Sequence, residues 1–134
     1  MSAAFRKIRI LKPLVGFQAA DDQMVHEISD LIELNDADEV ILGIYKNHAS
    51  LFNNAILITT NALYLVSEHL EVQPIQYSSI QEVQLEGSKD SPTGIRVFLD
   101  NKDSVSMAIS GCKNYKHYDA FEFLRFLMRI LDGQ

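Results

Sequence analysis

The fold class of this 134-residue chain is decided by one stretch, Ala55-Ile56-Leu57-Ile58-Thr59-Thr60-Asn61-Ala62-Leu63-Tyr64-Leu65. Branched aliphatic and aromatic side chains on both sides of Asn61 favour β-strands. Asn tolerates the left-handed backbone that a two-residue turn requires, so we expect Asn61 to adopt it between the two strands. The stretch therefore predicts two consecutive antiparallel strands.

Strand-like segments continue on both sides of this hairpin. They carry alternating or β-branched residues between turn signals, and they comprise residues 39–46, 73–77, 80–85, 95–99 and 105–109. The composition of 87–94 predicts a loop, and that of 100–103 predicts a hairpin turn. About seven short strands in succession predict an antiparallel barrel or sandwich rather than β-α-β units.

Two segments show helical periodicity instead. In residues 21–34, Asp21 or Asp22 is expected to cap a helix whose apolar face is formed by Met24, Val25, Ile28, Leu31 and Ile32. Residues 119–131 are apolar around most of the helical circumference, and one core covers only about half of such a helix. We therefore expect the rest to meet the N-terminal segment or another chain. The candidate interface residues are Phe121, Phe123, Leu124, Phe126, Leu127, Met128, Ile130 and Leu131.

Composition limits the class of protein. The chain is 47% hydrophobic and 22% charged, which is typical of one globular domain. Its formal net charge of -6 argues against a nucleic-acid partner, because phosphate binding needs a basic face. Cys112 is the single cysteine, so a disulfide within the chain is excluded and a cytoplasmic location is the simplest expectation.

Two local motifs resemble the pleckstrin-homology-like superfold, in particular its small bacterial members. Residues 55–65 are similar to its strand-turn-strand motif, and residues 74–83 are similar to the segment that leads into the strand before its long loop. The resemblance implies an α+β domain spanning 1–134, with a basic arm (1–20), a helix (21–35) and a barrel of about seven strands with a closing helix (38–131). Within the second motif, we expect Tyr77 and Ile80 to point inward while Ser78 and Ser79 bend the backbone.

The resemblance also suggests where a ligand would bind. In phosphoinositide-binding members, the loop between the first two barrel strands presents several Lys and Arg side chains. The corresponding loop here offers Lys46 and His48, and so few cations do not balance a polyphosphate headgroup. We therefore do not expect phosphoinositide binding. Leu51 and Phe52 are the other candidates in this loop, either as exposed contact residues or as a cover over the barrel mouth.

The first 20 residues form a basic arm without acidic residues. Its candidate residues are Phe5, Arg6, Lys7, Arg9 and Lys12. We expect the arm to pack on the domain as a strand or an extended segment. A transit peptide and a membrane-surface anchor, in which Phe5, Ile8, Leu11 and Phe17 enter the headgroup region, are the alternatives.

Reactive chemistry has weak support in the sequence. The four histidines are scattered, so we expect no metal or cofactor, and every acidic residue occurs where a solvated surface explains it. Cys112, close to Lys113, Lys116 and His117, is the only candidate for a reactive thiol.

The sequence thus predicts a non-enzymatic binding module that self-associates or binds a protein partner. Weak contact with a membrane surface through the arm is one alternative. Inhibition of a basic toxin is another, because an acidic domain complements a basic surface.

Overall fold

A computed structural model describes residues 3–30, 32–34, 38–48, 54–69, 71–114 and 116–133. The helices are α1 (Ala3–Lys7), α2 (Asp22–Ser29) and α3 (Asp119–Asp132). The strands are β1 (Phe17–Ala19), β2 (Ile41–Tyr45), β3 (Ala55–Thr59), β4 (Ala62–Val66), β5 (Val72–Gln76), β6 (Ile80–Gly87), β7 (Pro92–Leu99), β8 (Ser104–Ala108), β9 (Cys112–Lys113) and β10 (His117–Tyr118). Residues 8–10 and 77–79 form 3₁₀ turns.

All of the described strand pairs are antiparallel. A five-stranded sheet has the order β1-β2-β3-β4-β5, a three-stranded sheet has the order β6-β7-β8, and β9 pairs with β10. The α+β class is confirmed, and β2 to β8 are the strands that the sequence predicts. The additional strands β1, β9 and β10 have only two or three residues each, which is too short for a period of two to be recognised.

The turn between β3 and β4 differs from the prediction. The hydroxyl of Thr59 accepts the backbone N–H groups of Asn61 (3.2 Å) and Ala62 (3.0 Å), and so closes the turn. Asn61 is absent from the described non-glycine residues with positive φ, which are Asn54, Lys102 and Asn114. The expected left-handed backbone at Asn61 was therefore wrong, because a side chain supplies the turn's hydrogen bonds.

The predicted loop 87–94 is shorter than expected. Gly94 lies within β7, opposite Ala108 of β8. A Cβ atom at Gly94 would lie 2.1 Å from the carbonyl oxygen of Met107, so the glycine permits close strand approach rather than a loop. The turn at 100–103 is confirmed, because Leu99 donates to the carbonyl of Asp103 at 2.9 Å.

Helix α2 has the predicted cap and a shorter length than predicted. The Asp21 side chain accepts the N–H of Met24 at 2.8 Å. The helix ends at Ser29, whose hydroxyl donates to the His26 carbonyl at 2.7 Å and competes with the helical pattern. Val25 was placed on the apolar face but is 39% exposed, and Leu31 lies outside the described residues.

The central strands β3 and β4 of the five-stranded sheet are buried on both faces, so the domain has two cores. The central core lies between the two main sheets and α3, and receives Ile56 and Ile58 from β3. The outer core lies under α2 and receives Ala55 and Leu57 from the same strand. Consecutive β3 side chains thus enter different cores, which explains why this strand is continuously apolar rather than alternating.

The predicted bend between the sheets is confirmed. Tyr77 and Ile80 are both buried, whereas Ser78 is exposed in the 3₁₀ turn before β6. The hydroxyl of Tyr77 donates to the Thr59 carbonyl at 2.9 Å, and the Ser79 carbonyl accepts the N–H of Asp100 at 2.9 Å. These bonds tie the bend to both sheets.

The N-terminal arm packs on its own domain, as expected, but mainly as helical turns. Ala4, Leu11 and Leu14 are buried in the central core with α3. Only β1 is extended, and it pairs with β2. Because the arm and the three-stranded sheet both cover α3, the domain itself buries much of that helix.

A matched pair of substitutions on α3 tests this arrangement. Phe126 is fully buried, whereas Phe121 is 40% exposed. We expect Phe126→Ala to lower the free energy of unfolding by about 3–5 kcal/mol, because it leaves a cavity. Phe121→Ala should cost below about 1 kcal/mol. Urea denaturation of both variants measures the difference, and equal losses would contradict the assigned helix orientation.

Candidate functional site

A buried carboxylate fixes the start of α3. Asp119 is the first residue of the helix and is 3% exposed. Its Oδ1 accepts the N–H of Val15 (3.1 Å), and its Oδ2 accepts the N–H of Gly16 (3.1 Å) and the hydroxyl of Tyr45 (2.7 Å). The helix is thereby joined to the N-terminal arm and to β2.

Gly111 completes this arrangement. Its N–H donates to the Tyr45 hydroxyl at 2.9 Å, and its carbonyl accepts the N–H of Asp119 at 3.0 Å. A Cβ atom at Gly111 would lie 2.0 Å from Oδ2 of Asp119, so no larger residue fits without movement. We call Asp119, Tyr45, Gly111 and the N–H groups of Val15 and Gly16 the Asp119 node.

The node keeps Tyr45 neutral. Burial of the side chain and its hydrogen bond to the Asp119 carboxylate raise the pKa of Tyr45 far above its ordinary value. The hydroxyl therefore remains a donor to the carboxylate. Tyr45 also contacts the helix through its ring, which meets Phe123 edge-on with centroids 5.8 Å apart.

Helix α3 presents a second apolar face to solvent. Phe121 and Met128 are 40% and 51% exposed, and Leu124 and Leu131 are half-buried beside them. The spacing 121, 124, 128, 131 places these side chains along one helical stripe, as in helix–helix seams. We call these four residues the α3 stripe.

The remaining candidate interface residues point inward. Phe123, Phe126, Leu127 and Ile130 are at most 1% exposed and belong to the central core. The sequence predicts an apolar excess on this helix but does not separate its two faces. The structure narrows the candidate interface to the α3 stripe, because the four inward residues are unavailable to a partner.

Charged side chains border the stripe on one side of the helix. Glu122 and Arg125 form an exposed ion pair of 3.1 Å. Arg129 and Asp132 are exposed near the other end of the helix. This charged border therefore carries two acidic and two basic groups.

The loop after β2 contains two of the candidates for ligand contact. Lys46 is half-buried, and its backbone N–H donates to the Gly16 carbonyl at 2.8 Å; His48 is exposed. The other two candidates, Leu51 and Phe52, lie outside the described residues. A cavity of about 350 Å³ lies beside Lys46 and Ser110.

The basic residues of the arm lie at the surface, whereas most of its apolar residues do not. Arg6, Arg9 and Lys12 are exposed, and Lys7 is half-buried. Of the apolar residues assigned to membrane contact, Leu11 is buried, and Ile8 and Phe17 pack against the central core. Phe5 is 47% exposed. None of the described helices combines the length and apolarity that a bilayer crossing needs.

The candidate thiol lies in the short β9–β10 hairpin. Cys112 is half-buried opposite Tyr118, and Lys113 is opposite His117. No group of three or more His, Cys, Asp or Glu side chains suited to a metal ion occurs within the described ranges.

A second buried carboxylate lies near the β3–β4 turn. Glu39 is 7% exposed and accepts hydrogen bonds from the hydroxyls of Tyr64 (2.9 Å to each oxygen) and Thr59. Burial, and then the negative charge of Glu39 and the Tyr64 side chain, raise the pKa of Tyr77 well above its ordinary value. The expectation that every acidic residue is on a solvated surface was wrong for Glu39 and Asp119, because their partners are remote in sequence.

Removing the charge of Asp119 tests the node. In Asp119→Asn the amide nitrogen cannot accept a hydrogen bond, so one of the three donors loses its partner. We expect the free energy of unfolding to fall by about 2–3 kcal/mol. Asp132→Asn is the matched control at the exposed end of the helix, expected within about 0.5 kcal/mol of the parent. Equal effects in urea denaturation would contradict a structural role for the node.

Two of the buried tyrosines, Tyr45 and Tyr77, predict a loss of stability at high pH. The pKa of each side chain is raised in the folded state. Its contribution to the free energy of unfolding is therefore complete below about pH 10 and is lost as the pH rises further, because tyrosine ionises first in the unfolded chain. Each of the two tyrosines should add about 1.4 kcal/mol per pH unit to the decline in the free energy of unfolding. Urea denaturation between pH 10 and 11 should show a shallower decline for Tyr77→Phe than for the parent. An unchanged slope would contradict this assignment.

Comparison with known proteins supports the fold. No protein-family model and no curated protein matches the sequence. The structure is similar to the crystal structure of a DUF1696 family protein with a pleckstrin-homology domain from Shewanella loihica PV-4. The match has a TM-score of 0.57 and 13% sequence identity, and covers 86% of this chain and 97% of the other. The chain therefore has the pleckstrin-homology-like fold that residues 55–65 and 74–83 predict.

Proposed function

We propose that this chain is a non-enzymatic protein-binding module that self-associates through the α3 stripe. The supporting observation is the exposure of Phe121 and Met128, 40% and 51%, in line with half-buried Leu124 and Leu131. Removing such a stripe from water is favourable, and a second helix provides a matching apolar surface.

The position of the stripe supports a fixed interface. The Asp119 node holds the start of α3 through three hydrogen bonds to one carboxylate. The inner face of the same helix is anchored by Phe123 and Phe126, whose rings meet edge-on at 6.0 Å. Because the helix is held at its start and along its inner face, a partner pays little ordering cost on binding.

The charges beside the stripe support a second copy as the partner. Glu122 and Asp132 balance Arg125 and Arg129, so the charged border of the stripe has no net charge. Two copies of this face can approach without the repulsion that the overall charge of -6 imposes elsewhere. In an antiparallel pair, the charged border of each copy offers both signs to the other.

Charge introduced into the stripe tests the proposal. Size-exclusion chromatography with light scattering, over a concentration series, should show a dimer for the parent chain. Phe121→Glu and Met128→Glu should each weaken it at least tenfold, because a carboxylate would be buried in an apolar seam.

Val25→Glu is the matched control, since Val25 is a similarly exposed apolar residue on another helix. It should leave the dimer unchanged. A parent chain that stays monomeric at every concentration, or a dimer that is insensitive to both stripe substitutions, would refute self-association through this face.

A further inference from the structure

Strand β8 has one unpaired edge. It lies at the end of the three-stranded sheet and pairs with β7 alone. Two hydrogen bonds mark the ends of the ladder between β7 and β8. The N–H of Leu99 donates to the Asp103 carbonyl at one end, and the N–H of Ile109 donates to the Thr93 carbonyl at the other. They fix which residues of β8 direct their backbone groups toward β7. In an antiparallel pair, every second residue directs its N–H and C=O away from the neighbour. Ser104, Ser106 and Ala108 therefore present their backbone groups outward.

The side chain of Asn47 occupies one end of that edge. Its Nδ2 donates to the Ala108 carbonyl at 2.9 Å, and its Oδ1 accepts the N–H of Ser110 at 2.8 Å. A carboxamide presents the same donor and acceptor as a peptide group, so Asn47 takes the place of one peptide unit of a neighbouring strand. Asn47 also donates to the Asn54 carbonyl, which holds it in position.

Beyond Asn47, the described residues leave the edge open. Within the described part of the chain, no group bonds the outward N–H and C=O of Ser106. A groove of about 290 Å³ runs beside it, lined on one side by Val105 and Ser106 and on the other by Leu65, Glu71 and Val72. Leu65, Val72 and Val105 are half-buried, and Glu71 is exposed. The groove thus places apolar surface and one carboxylate next to unpaired backbone groups.

We propose that an extended segment of a partner polypeptide binds in this groove as an added strand along β8. The outward groups of Ser104 and Ser106 would continue the hydrogen-bond pattern that Asn47 begins. Alternate side chains of the segment face the groove, where Leu65 and Val72 suit an apolar residue and Glu71 suits a Lys or Arg. The net charge of -6 favours a basic segment in the same way.

The proposal does not depend on self-association through the α3 stripe. The probe is a phage-displayed library of random twelve-residue peptides, selected on the full chain. Selected peptides should carry apolar residues together with Lys or Arg. Glu71→Gln should weaken the binding of these peptides, and the loss should be largest at low salt.

Two substitutions at one position test the backbone contact. Ser106→Pro removes an N–H that points away from β7, so the existing ladder is kept, whereas Ser106→Ala retains the N–H. We expect selected peptides to bind Ser106→Pro at least tenfold more weakly and Ser106→Ala within twofold of the parent. Val72→Asp, which places a second carboxylate in the groove, should also weaken binding tenfold and provides the test if Ser106→Pro does not fold.

The remaining outcomes would overturn the proposal. They are a selection without enrichment, or peptides that bind the Pro and Asp variants as well as the parent. Self-association that Ser106→Pro abolishes and Phe121→Glu does not would assign the edge to a second copy of the chain instead. Phe121→Glu should leave peptide binding unchanged, which separates this test from that of the α3 stripe.

Discussion

The carboxylate of Asp119 is the contact on which the arrangement of the domain depends. It joins segments that lie more than 70 residues apart in sequence, because its two oxygens accept hydrogen bonds from the N–H groups of Val15 and Gly16 and from the hydroxyl of Tyr45. Burying a charge is expensive unless hydrogen bonds replace its hydration, and three donors do so here. The same group joins the first residue of α3 to the arm and to β2. The exposed stripe of the helix is a consequence of that placement.

Helix α3 shows how two demands are met by one amphipathic element. Its inner face fills the central core, and its outer face leaves Phe121 and Met128 40% and 51% exposed beside the half-buried Leu124 and Leu131. The unpaired edge of β8 is a different kind of surface, because backbone groups rather than side chains dominate it. The two proposed contact surfaces are thus chemically distinct, one apolar and one directed by hydrogen bonds.

Local pattern predicts a large part of the fold. The strands around Asn61, the bend at Tyr77 and the closing helix follow from residue types that act over a few positions. The buried roles of Asp119 and Glu39 do not, because their donors come from distant segments and a carboxylate surrounded by polar neighbours looks solvated in sequence. The role of Asn47 was not predicted for the same reason, since its amide forms hydrogen bonds with residues about 60 positions away. On α3, the sequence indicated excess apolar surface, but only the packing of the arm decides which face remains exposed.

The two-sided burial of the five-stranded sheet also bears on how the molecule unfolds. Ile56 and Ile58 belong to the central core, whereas Ala55 and Leu57, which alternate with them, belong to the outer core. The strand therefore contributes packing to both cores. Loss of α2 alone would expose one face of β3, but separation of β3 from β4 would disrupt the packing of both cores together. The shared strand therefore makes unfolding of the sheet one cooperative step for both cores, whereas loss of α2 affects the outer core alone.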